Sequence, residues 1–138
     1  ENFCKQINDS RFLMSIKLQL SQLHTFHNQL NIIQETADQI IKDFDAFGYK
    51  IIFSGKEKVA YEELFMQITP LIESLNNNNY KKLMNVLYRI DVPEEAINLK
   101  LKNSNSREFA AIITEIVLER ELKKVITRNY YKHQQKES

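Results

Sequence analysis

Three groups of side chains in this sequence have types and spacings that could do chemistry. His24 and His27 stand three residues apart, so on a helix both imidazoles reach one side. Neutral imidazoles are common metal ligands, which makes His24 and His27 the metal candidates. No third ligand follows at a recognisable spacing, and His27 also falls in an apolar series where a structural histidine is expected. Glu115 and Glu119 are one helical turn apart and could share a proton or hold a cation. They are read instead as a solvated face, with Glu119 paired to Lys123 in the favourable i, i+4 order. The third group is Lys123, Lys124, Arg128 and Lys132, interleaved with Tyr130 and Tyr131. From Arg120 to Ser138 six basic residues meet two acidic ones. Cations beside stacking rings are the ingredients of nucleic-acid binding. The same composition suits the carbonyl end of a helix and a polar tail.

Other signatures are missing. There is no P-loop, dinucleotide-binding glycine motif, G-x-S-x-G or H-E-x-x-H. The Glu-x-x-His of di-metal bundles is absent, as are the marks of zinc fingers and RNP-type RNA binders. Cys4 is the only cysteine, which excludes a disulfide or a cysteine-based metal site within one chain. No cofactor is expected, and the pattern points away from an enzyme. Charge is close to balanced, 19 basic against 18 acidic residues, so no global field selects nucleic acid or an anionic membrane. No apolar run approaches the roughly 20 residues of a membrane span. The start, ENFCKQINDSRFLM, lacks the basic-then-apolar order of a signal peptide. A cytoplasmic protein is therefore expected, although the missing initiator Met leaves room for a removed segment.

The elements that must position these groups read as helices. A chain of 138 residues suits a single domain, taken as 1–138 with 1–10 and 132–138 frayed. An apolar fraction of 43% supports a core, while two glycines and two prolines are too few for the turns of a sandwich or barrel. The segment Ser106 to Arg128 carries two apolar stripes, one through Phe109, Ile112, Ile113 and Ile116, the other through Ala111, Leu118, Leu122 and Val125. A surface helix needs one stripe, so two predict a central helix with neighbours on two sides. Ser104 or Ser106 would cap it.

A heptad-like series from Leu13 through Ile16, Leu20, Leu23, His27 and Leu30 continues, with a small phase slip, through Ile33, Ala37, Ile40, Phe44 and Phe47. It predicts a long N-terminal helix, about Phe12 to Ala46, with a break near Thr25 to Asn31 as the alternative. The period-two alternation of Phe12 to Leu20 is the competing strand reading. Gly48 should close that helix, with YKIIF (Tyr49 to Phe53) as an extended connector. Ser54 and Glu57 form a capping-box pattern for the next helix, which Pro70 should kink or break. The run Asn76 to Asn79 reads as a loop. A short helix from Tyr80 to Ile90 and another after Pro93, capped by Asp91, complete the set. The expected fold is all-α, an irregular bundle of four to six helices.

Two stretches, LMNVLYRIDVPEE (Leu83 to Glu95) and VLERELKKVITR (Val117 to Arg128), resemble segments of small all-helical bacterial proteins of no assigned function. The resemblance covers about a third of the chain and implies a bacterial, cytoplasmic, helical protein with no site residue carried over. The heptad-like series motivates the functional expectation, which is protein–protein association with a partner or as a homo-oligomer. Nucleic-acid binding through the basic C-terminal segment is the alternative, and a metal or enzymatic site at His24 and His27 the third.

Overall fold

The computed structural model describes residues 29–102 and 109–137, with side chains from 31 to 132 within those stretches. Among them the fold is all-α, in the order α1 (Gln29–Asp45), α2 (Ala60–Asn78), α3 (Tyr80–Ile90), α4 (Glu94–Leu101) and α5 (Phe109–Glu137). A 3-10 turn at Glu57–Val59 leads into α2. The irregular bundle expected from composition and periodicity is the architecture found, with no strand among the described residues. The first half of the expected N-terminal helix, the strand reading of Phe12 to Leu20, and Ser104 and Ser106 as caps lie outside the described residues.

Helix α5 is the axis of the bundle. Every residue from Ile113 to Leu118 is buried, which one apolar stripe could not achieve. It touches α1, α2, α3 and α4. Ile40 and Phe44 of α1, Ile68 and Ile72 of α2, and Leu83 and Ile90 of α3 are also fully buried in the same core. Each such side chain contributes about 1.5–3 kcal/mol of transfer free energy. The α5 helix also runs on past Arg128 to Glu137, through the stretch expected to fray. That stretch contains no Gly or Pro, and Lys, Gln and Glu have good helix propensity.

The connections correct several expectations. Gly48 does adopt the left-handed geometry, with φ +85 after α1. The Tyr49 amide donates back to the Phe44 carbonyl at 3.0 Å. The connector after it lies over the core as expected, with Ile51 buried. Gln67 of α2 clasps its backbone, accepting from the Ile52 amide at 2.9 Å and donating to the Ile52 carbonyl at 2.7 Å. The capping box of Ser54 and Glu57 does not form. The Ser54 hydroxyl accepts from the Lys56 amide, and the Ser54 amide donates to Glu63 instead. Helix α2 continues unbroken through Pro70. Pro70 and Met66 are both exposed, so water can serve the carbonyl that lost its amide partner.

The asparagine run is not a loop: α2 extends through Asn78, and α3 starts at Tyr80. Asn79 alone forms the joint, and its side chain accepts from the Lys82 amide at 3.2 Å, capping α3. Asp91 does not cap α4 but closes α3 in left-handed geometry, with φ 67. Pro93 occupies the position before α4, and its carbonyl takes the Ala96 amide at 3.1 Å.

Asn79→Ala should lower the unfolding free energy by about 1 kcal/mol, the usual worth of a helix N-cap. Urea denaturation followed by circular dichroism checks this.

Candidate functional site

The sequence-predicted groups do not converge. His24 and His27 lie outside the described residues, and no group of three metal-ligating side chains occurs among the described ones. Glu115 is not on a solvated face but buried, with its Oε1 3.5 Å from Lys100 Nζ of α4. Glu119 is half-buried and Lys123 exposed. The four basic candidates divide between two environments. Lys124 turns into the bundle, whereas Lys123, Arg128 and Lys132 are exposed. Arg128 and Lys132 line an open groove of about 280 Å³ between α1 and α5, shared with Glu35, Asp38, Gln39 and Lys42. Glu35 accepts from Asn129 at 2.8 Å and Asp38 from Gln34 at 3.0 Å. Two carboxylates therefore offset the positive potential where a phosphate would lie.

Deeper along the same helix pair is a cluster that the sequence reading missed. Asp43 of α1 lies opposite Glu121 and Lys124 of α5, with Arg89 arriving from α3. Asp43 Oδ1 takes Arg89 Nε at 3.2 Å and Gln39 Nε2 at 3.2 Å. Lys124 Nζ stands 3.7 Å from Asp43 Oδ2 and in direct contact with Glu121 Oε1. Glu121 is 0% exposed. Burial, the largest cause, together with a hydrogen bond to Asp43 and the charge of Asp43, raises the Glu121 carboxyl from 4.5 to about 8. Lys124 pulls the other way.

A signal for this cluster existed. Glu121 is three residues after Leu118 and four before Val125, squarely on the second apolar stripe. Asp43 is three residues after Ile40 and one before Phe44. An acid at a core position of an amphipathic pattern must find a partner inside the fold.

Chemically, the cluster joins three helices by charge and hydrogen bonding, and its acids are shielded from dissolved substrate. A second clamp holds the same, C-terminal end of α3. Arg120 Nη2 meets Asp91 Oδ2 at 2.7 Å, and its Nε donates to the Asp91 carbonyl at 2.9 Å. The chain matches no known protein family, no curated protein and no solved structure. No helix among the described residues is long and apolar enough to cross a membrane.

Lys124→Met should cost about 3 kcal/mol of stability, the low end for removing one partner of a buried ion pair, because Arg89 still faces Asp43. Lys123→Met, one residue away and exposed, should stay within about 0.5 kcal/mol of the parent. Denaturant titration of the two variants at neutral pH makes the comparison.

Proposed function

We propose that this is a non-catalytic helical protein of the bacterial cytoplasm that acts by protein–protein association, with a second copy of itself or with a partner chain. One contrast supports the reading: the buried ionisable side chains are engaged with one another, while several large apolar ones stand in water. Asp43, Arg89, Glu121 and Lys124 hold helices together. Ile52 and Met66, by contrast, are each 61% exposed, and Val59 is exposed with them. Val59 ends the 3-10 turn that leads into α2, and Met66 stands on the outer face of α2. The Gln67 clasp fastens Ile52 beside that face. Apolar side chains grouped in this way are what contact surfaces present, whereas isolated ones are ordinary.

The heptad-like series that motivated association is partly used within the chain, since Ala37, Ile40 and Phe44 are buried in the core. Its members from Leu13 to Leu23 lie outside the described residues. Nucleic-acid binding by Lys123, Arg128 and Lys132 is the weaker reading, because Glu35 and Asp38 share the groove with two of the three cations.

Sedimentation and light scattering at micromolar concentration test the proposal. The parent chain should form a dimer or hold a co-purifying protein. The double variant Ile52→Lys, Met66→Glu should lose that association at unchanged helicity. A parent that is monomeric and captures nothing from its native lysate would overturn the reading, as would a double variant that associates like the parent.

A further inference from the structure

The Asp43–Glu121 pair has a property that holding helices together does not require. Asp43 Oδ2 and both Glu121 carboxyl oxygens are buried, and apart from the ion contacts with Lys124 no donor hydrogen reaches them unless one of the two acids carries a proton. If both groups were ionised, each would be acceptor-only. Two buried carboxylates would then face one another, and among the described residues Lys124 is the one cation touching both. A proton on Glu121 turns one acceptor into a donor and supplies the missing bond to Asp43.

We propose that Asp43 and Glu121 share one proton, and that this proton latches α1 onto α5, so that removing it loosens the two helices. The bond crosses between elements, since Asp43 stands on α1 and Glu121 on α5. Losing the proton replaces a hydrogen bond with repulsion between buried like charges. The other charged groups at the cluster are Arg89 of α3 and Lys124 of α5 itself. No charge from α2 or α4 acts on Glu121, and Lys100 of α4 is turned to Glu115.

The direction follows from linkage. Glu121 titrates near 4.5 when freed into water and near 8 in the closed bundle. Between those values the closed form holds a proton that the opened form releases. The latch is therefore strongest at acid pH, weakens as pH rises, and is spent once pH passes about 8.

Amide hydrogen exchange on the full chain from pH 5 to 9, corrected for intrinsic base catalysis, tests this. In the parent, the opening constant for the α1 amides of Ile40 and Phe44 should rise up to about tenfold per pH unit to near pH 8 and then level off. It should rise more steeply than that for Ile68 and Ile72 of α2. Glu121→Gln keeps a donor at every pH and should abolish the slope in α1. An α1-to-α2 ratio that ignores pH in the parent, or an unchanged slope in Glu121→Gln, overturns the proposal. If Glu121→Gln fails to fold, infrared spectroscopy of the parent decides instead. A carboxylic-acid C=O band at pH 6.5 that is lost by pH 9 supports the latch, and its absence at pH 6.5 overturns it.

Discussion

The structure depends on the burial of α5 from several sides at once. A helix with neighbours all round must present apolar side chains in every direction, or give each polar one a partner inside. This one does both. Ile113, Val117 and Val125 fill the core, while Thr114, Glu115 and Glu121 are buried among them. Each of those three is answered from a different neighbour or from the helix itself. Thr114 donates to the Ala110 carbonyl at 2.7 Å and accepts from Thr69 of α2 at 3.0 Å. Glu115 meets Lys100 of α4, and Glu121 meets Asp43 of α1. Each buried polar residue on the central helix is thus matched to a partner on one particular neighbour.

The helices were legible in the sequence because their periodicity is strong. The spacing of Leu83, Val86, Leu87 and Ile90 gave α3 its boundaries and its buried face, and the two stripes of α5 gave its central place. The ends of elements were harder to read. Asparagine favours turns by local hydrogen bonding, yet Asn76 to Asn78 stay helical and only Asn79 uses that tendency, as a cap. The pattern Ser54–Glu57 satisfies a local rule, but Glu63, in the first turn of α2, offers the Ser54 amide a partner instead. Local signals name the residues able to end a helix, and the tertiary fold chooses among them.

The candidate site was less legible than the fold. Residue type alone sends Glu115 to water and Lys124 to a basic surface. The register of Glu115, and of Glu121 beside Lys124, with the apolar residues carries the better information. Buried charge is expensive unless paired, so an acid in register with leucines is a statement about a distant partner. Sequence spacing cannot supply that partner, because Asp43 and Glu121 come together only when α1 and α5 dock. The exposed apolar group at Ile52 and Met66 was hidden for a related reason, since the Gln67 clasp joins residues from separate elements.

The antiparallel run of α1 beside α5 has a mechanical consequence. Glu35 pairs with Asn129, Gln39 with Arg128, and Asp43 with Lys124, in that order along the two helices. The N-terminal end of α1 and the C-terminal end of α5 therefore leave the bundle at the same pole. Tension applied through those ends would not shear the pair lengthwise but would peel it open like a zip. It would meet the weak outer contacts first and the charged cluster at Asp43 last.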